Sequence, residues 1–297
     1  MKTINPKEIS VGEFHAYLLG AVTPRPIAFA STIDKQGNVN LSPFSFFNAF
    51  SANPPILVFS PARRVRNNTT KDTLDNVIEH PEVVINIVNY AMAEQTSLSS
   101  TEYEKGVNEF VKSGLTEVSS DVVKPPRVGE SPVSFECKVN DVIPLGDEGG
   151  AGHLVICEIL LAHFSEDILD ESNKIDPYKL DVIARMGGSW YTRVNGDSLF
   201  EIPKPVGRKG IGVDNIDESI RFSNVLSGND LGRLGNIEEL PSRDAIQEFR
   251  STSEIADIFQ KYLENKESLK IAIHKLAKQF LQEVDVEKAW LTLLQIH

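Results

Sequence analysis

Residues 25–60 hold three short apolar runs divided by turn and proline signals, which constrains this stretch to β-structure. Arg25–Thr32 (RPIAFAST) is small, apolar and β-branched, and Pro26, which cannot donate to a central ladder, marks a strand start. Asp34–Asn38 is a turn cluster and Val39–Ser42 resumes the extended pattern, so the two arms predict a hairpin that Pro43 interrupts. Pro54-Pro55 then introduces a third strand, Ile56–Ser60. Between these runs Phe44, Phe46, Phe47 and Phe50 alternate with Ser45, Asn48 and Ser51. Flat rings beside short hydrogen-bonding groups suit a planar ligand with apolar and polar edges. Equally, they suit a phenylalanine-rich core beside a helix or bulge.

Beyond Ser60 the chemistry changes sign. The chain carries 42 acidic against 30 basic residues, yet Arg63, Arg64, Arg66 and Lys71 fall in one acid-free stretch. A local cationic patch on an anionic protein points to an anionic ligand group, and Arg forks with a Lys point charge suit a phosphate. Asp72-Thr73 is positioned to cap a helix over Leu74–Glu79, whose free N–H groups would face the same anion. A solvated basic loop is the alternative.

Taken together and in order, these pieces resemble the flavin reductase-like, FMN-binding split-barrel family. The resemblance rests on Arg25-Pro26 opening a strand, on Asn40–Ser45 (NLSPFS) after the hairpin, on Pro54-Pro55 before a strand ending in Ser60, and on Lys71-Asp72-Thr73. Glu158 in a later strand and Arg185–Tyr191 (RMGGSWY) extend it over about residues 10–200. Cys157 departs from the family pattern, where Gly before that Glu is usual. The resemblance implies a mainly β (α+β) fold, a Greek-key split barrel of about six strands.

The rest of the sequence agrees with that fold. Val83–Val88, Pro132–Val142 and His153–Phe164 read as strands, the last two joined by a flexible glycine loop at 146–152, and Tyr103–Lys112 reads as a short helix. After Pro203-Lys204-Pro205 the character changes: 206–240 is rich in Gly, Asn and Asp and reads as a connection. Ile246, Phe249, Ile255, Ile258, Phe259 and Leu263, then Leu269 to Phe280, then Val286, Trp290 and Leu294 predict two or three amphipathic helices. Two domains are expected, a barrel over 1–205 and a helical extension over 206–297. The extension reads as an accessory layer, with a substrate lid or partner arm as the alternative.

Composition narrows the function classes. The acidic balance argues against a nucleic-acid partner, no apolar run reaches the length of a membrane span, and no signal-peptide core opens the chain, so a cytoplasmic protein is expected. Cys137 and Cys157 read as buried small hydrophobes, and the histidines lack metal-ligand spacing, so no metal is expected. No acid–base pair stands out, which suits chemistry carried by a cofactor.

The reading is a homodimer that holds FMN noncovalently and passes electrons from NAD(P)H to free flavin, ferric iron or a redox partner. A flavoredoxin-like carrier without a nicotinamide site is the alternative. Asn40, Ser42, Ser45 and Asn48, with Phe46 and Phe47 beside them, are assigned to the ring and ribityl chain; Ser60, Arg63, Lys71 and Thr73, with Asp72 at the helix start, take the phosphate. Arg25 and Arg193 are candidates for the ring edge or a nicotinamide phosphate.

Overall fold

Ser10 starts the first helix. Its hydroxyl accepts from Glu13 N while Glu13 reaches back to Ser10 N, a reciprocal cap that opens α1 (Val11–Ala21). The turn at 34–38 is closed by Asp34, whose Oδ1 accepts from Gln36 N and Asn38 N, with Gly37 at φ 85. It joins β1 (Ala28–Ile33) to β2 (Val39–Phe44). Then follow β3 (Phe47–Ala52), β4 (Pro55–Phe59), α2 (Asp72–Glu79), β5 (Glu82–Ile87), α3 (Ala93–Leu98) and α4 (Glu109–Ser113). The short strands β6 (Glu117–Val118) and β7 (Arg127–Val128) precede the long hairpin of β8 (Val133–Pro144) and β9 (His153–Phe164). Helix α5 (Pro177–Leu180) and the hairpin of β10 (Ile183–Arg185) and β11 (Tyr191–Arg193) close this part. The computed structural model describes residues 1–203, 207, 209–262 and 264–296.

Seven strands form one antiparallel sheet in the order β2-β1-β5-β8-β9-β4-β3. Its two edge strands are consecutive in sequence, linked only by Ser45 and Phe46. Laid flat, such a sheet would hold its edges about 29 Å apart at ~4.8 Å per neighbour, whereas a two-residue link spans about 10 Å. The sheet therefore curls until β2 and β3 approach, and no ladder among the described residues joins them. The result is a barrel split along one seam. Ala28 and Ala30 of β1 pack inside with Phe44, Leu57, Phe59, Val83, Ile85 and Cys157, while Phe29 between them packs on the opposite face with Leu41, Met92 and Phe110. Both cysteines are free and buried, and burial, with Glu136 adjacent, pushes the Cys137 thiol up to about 12, so neither is a reactive thiolate at neutral pH.

Several expectations change. Pro43 does not interrupt its strand: it pairs with Phe29 within β2, which is tolerated because β2 is an edge. Residues 47–52 form an edge strand with a bulge between Ala49 and Ser51, and not a helix. The expected helix at Tyr103–Lys112 is confined to Glu109–Ser113, capped by Asn108 and stopped by Gly114 in the left-handed region. Helix α2 begins at Asp72 with Lys71 in the capping position and no side-chain cap, so Asp72 and Thr73 are its first turn, not its cap. The glycine loop at 146–152 is tied down, since Gly150 N donates to Arg63 O and Arg63 N to Ala151 O. No described helix is long and apolar enough to cross a membrane.

The chain divides into compact units Met1–Phe200 and Glu201–His297. The expected boundary residues Lys204 and Pro205, and Leu263 of the expected tail helix, lie outside the described residues. The second unit is helical earlier than the sequence implied: α6 (Glu218–Arg221) and α7 (Gly228–Leu234) start at Asp217 and Ser227, whose side chains cap them. Four further helices follow, α8 (Arg243–Arg250), α9 (Ser253–Tyr262), α10 (Lys266–Gln282) and α11 (Val286–Leu293), because the pattern over 246–262 breaks at Ser251-Thr252. Trp290 is buried in their core beside Leu234 and Phe280, and its indole N–H donates to Leu234 O.

Helix α10 ends with Asp285 N bonded to Phe280 O, which places Val284 at φ 64, in the left-handed region that a β-branched residue adopts at a cost. Val284 is exposed, so only the backbone matters. Val284→Gly is expected to stabilise the chain by roughly 0.5–1 kcal/mol, the relief of Cβ crowding less the added freedom of the unfolded chain. A calorimetric melting point that is unchanged or lower contradicts this.

Candidate functional site

The period-2 geometry of β2 places Asn40, Ser42 and Phe44 on one face, turned toward the start of α2. Asn40 Nδ2 donates to Thr73 Oγ1 at 2.9 Å, and Lys71 Nζ lies 5.1 Å over the Phe44 ring, which itself packs on Phe59 at 5.3 Å. The structure thus brings Asn40 of β2 together with Thr73, and Phe44 together with Lys71, with Ser42 between them on the same strand face. Thr73 is buried and committed to Asn40, so it shapes the site from behind. Asp72 faces a small polar hollow shared with Asn76 and Lys105.

The four cations of the basic run are not equivalent. Arg63 donates from Nε and its NH2 nitrogen to Asn68 at 2.6 and 2.7 Å. Arg64 bonds Thr69 Oγ1 and Thr70 O and lies 3.4 Å from Glu102, which also pairs with Arg66. Lys71 is half-buried and has no carboxylate or hydrogen-bond partner among the described residues. Burial and the adjacent Arg64 hold its ammonium below the usual lysine value, against the pull of Glu102. A half-buried cation without a counter-ion, beside a helix start that no side chain caps, is an arrangement that an anion stabilises.

Ser60 follows β4, and its N–H donates to Phe46 O at 2.8 Å, which ties the basic loop to the β2–β3 link. Gly152 leaves its hydroxyl room, since a Cβ there would lie 2.6 Å from Ser60 Oγ. Ser45 Oγ accepts from Arg25 Nε at 3.4 Å, and the Phe46 ring meets the His15 ring of α1 edge-on at 6.2 Å. Phe47 is partly buried against the barrel core. Asn48 stands apart: it is exposed on β3 and its Oδ1 accepts from Ala49 N.

Arg25 and Arg193 are likewise held by the protein itself. Arg25 is buried and donates to the carbonyls of Leu19, Val22 and Met186. Arg193 makes a two-pronged pair with Asp181 at 2.7 Å for each bond and stacks 3.9 Å over Tyr90. Glu158 pairs in the β8–β9 ladder and accepts from Asn140, and Cys157 before it is core.

The Flavin reductase like domain family matches residues 19–178 of this chain. The chain belongs to the flavin reductase-like family. A protein of Aquifex aeolicus (strain VF5) is 39% identical to this flavin reductase-like chain over 196 residues, 66% of this chain and 97% of the relative. Nitrilotriacetate monooxygenase component B from Bacillus cereus is 30% identical with a TM-score of 0.64, covering 68% of this chain and 98% of that one. A protein of Shewanella frigidimarina NCIMB 400 with a split barrel domain is 26% identical with a TM-score of 0.56, covering 67% and 95%. The family match ends before the helical unit, so a flavin reductase-like split barrel occupies the first part of the chain.

Two features of this flavin reductase-like barrel escaped sequence reading. The sequence reads 146–152 as a flexible loop, yet the glycines at 149, 150 and 152 let the β8–β9 turn close on the basic loop and on Ser60. His163 of β9 donates to Glu136 Oε1 at 2.7 Å, and Asp121 is near enough to form a three-residue group with them. The N–H groups of Asp121, Val122 and Val123 point at the same Glu136 carboxylate, so this group is an internal clamp whose donors stand where a cation would have to bind.

Proposed function

We propose that the barrel binds FMN noncovalently and serves as an oxidoreductase that passes electrons from NAD(P)H to free flavin, ferric iron or a redox partner. The observation that carries the reading is Lys71, a half-buried ammonium with no salt-bridge or hydrogen-bond partner among the described residues, beside the face of β2 that holds Asn40 and Ser42. Its charge fits a terminal phosphate, with Ser60 Oγ, kept clear by Gly152, as a hydroxyl donor. Asn40, Ser42 and Ser45 offer amide and hydroxyl groups to the ring edge and the ribityl chain, and Phe46 an apolar surface. Bound FMN would supply hydride acceptance and electron release, which the protein's side chains cannot. The chain's own groups bind, orient and neutralise.

A carrier that takes electrons from a protein is the second reading. It is favoured by the engagement of Arg25 and Arg193 with internal partners, which leaves neither free for a nicotinamide phosphate. Anaerobic mixing of the FMN-loaded protein with NADH or NADPH separates the two. Rapid bleaching of the flavin absorbance is the expected result; a flavin that stays oxidised yet is reduced by dithionite would establish the carrier.

The protein is expected to be a homodimer. Asn48 to Ala52 of the β3 edge are exposed, Phe50 by 69%, and a lone barrel would leave that edge open to pairing. Light scattering at micromolar concentration should give twice the chain mass. A monomer that retains FMN contradicts the dimer.

A further inference from the structure

Arg25 joins three segments that are distant in sequence. From one nitrogen it donates at 2.6 Å to both Leu19 O and Val22 O at the end of α1, from the other at 3.0 Å to Met186 O, and from Nε at 3.4 Å to Ser45 Oγ. Its own N–H and C=O exchange bonds of 2.9 Å with Arg185. A cation is well placed at a helix C-terminus, where carbonyls lack partners. The turn that follows Arg185 is closed by Met186 N on Trp190 O at 2.9 Å. It packs so closely on α1 that a Cβ at Gly187 would lie 2.9 Å from Gly20 Cα. Gly188, at φ 58, takes the left-handed residue of the turn. Arg25, Gly20 and Gly187 thus form one joint that fixes the 186–190 turn relative to Ser45. Trp190 stands on that turn 76% exposed, unlike Trp290, which is buried.

We propose that Arg25 is a positioning residue for the flavin site, holding the Met186–Trp190 turn beside Ser45 so that Trp190 provides a stacking wall for a planar heterocycle. This rests on the FMN reading above. Arg25 touches no ligand; it acts through Ser45 and through the Met186 carbonyl. The wall contributes to ring binding and not to phosphate binding, which sets it apart from Lys71.

The test is equilibrium titration of the apoprotein with FMN and with riboflavin for Trp190→Ala, Trp190→Phe and Arg25→Lys. Trp190→Ala should weaken both ligands equally, by about tenfold, and Trp190→Phe should restore most of the loss because a stacking ring remains. Arg25→Lys, which keeps the charge but loses the fork, should weaken both ligands to a similar extent with the far-UV circular dichroism unchanged. Retention of both affinities within about twofold in Trp190→Ala would overturn the proposal, as would a loss confined to FMN. If Arg25→Lys does not fold, the Trp190 pair alone decides. Failure of the unmodified protein to bind either flavin is a different outcome, which removes the FMN reading and this proposal with it.

Discussion

Glu136→Ala is expected to lower the stability of the barrel by about 3–5 kcal/mol, the cost of breaking a buried charged network by removing one partner. Glu136 is fully buried on β8. Its oxygens accept from Asp121 N at 2.9 Å, Val122 N at 2.7 Å and Val123 N at 3.3 Å, and from His163 Nε2 on β9 at 2.7 Å. Alanine would leave three N–H groups of the 121–123 loop and the histidine without an acceptor, and would open a void against β9. Glu136→Gln keeps one oxygen and should lose less. Burial alone would push the carboxyl up, but the loop N–H bonds and His163 outweigh it and hold it below the ordinary glutamate value. A depressed folded-state value means that the stabilisation is present above the unfolded carboxyl value, ~4.3, and is lost as pH falls through the folded one. Chemical denaturation of wild type and Glu136→Ala at neutral and acidic pH checks both statements. Equal stabilities at neutral pH would show that the clamp contributes nothing.

The parts of this protein that sequence made legible are those fixed by neighbours along the chain. The hairpin at 28–44 follows from the alternation of its residues and the Asp34 turn, and the β8–β9 pair from two long apolar runs around a glycine loop. Pro43 reads as a strand break along the chain because edge status depends on strand order, which no local pattern contains. The same holds for β3, whose rings and short polar groups read as a core segment beside a helix or bulge: the bulge is there, between Ala49 and Ser51, but in an edge strand. At the candidate site, residue type selects Asn40, Ser42, Ser60 and Lys71, but does not separate Lys71 from three arginines. That distinction comes from Asn68, Thr69 and Thr70 folding back on Arg63 and Arg64, and from Glu102, 36 residues beyond Arg66. Arg25 shows the limit most clearly. Its partner Met186 is 161 residues away, so a ligand contact and a structural joint read alike in the sequence.

Lys71→Ala should weaken FMN binding by roughly 1.5–3 kcal/mol, one to two decades in affinity, by deleting a charge-assisted bond to the phosphate. The lysine lies at the start of α2 with its ammonium over the Phe44 ring, and alanine removes the charge while leaving the Asn40–Thr73 bond in place. Because the ammonium sits below the usual lysine value, FMN affinity in the unmodified protein should also fall as pH rises through that value, and riboflavin affinity should not. The most direct measurement is therefore a paired titration of wild type and Lys71→Ala with FMN and riboflavin at neutral pH. The expected result is tight FMN binding by wild type, lost by one to two decades in the variant, with riboflavin affinity the same in both; an equal change for the two ligands, or a wild type that takes up neither, would contradict the assignment of this barrel as an FMN site.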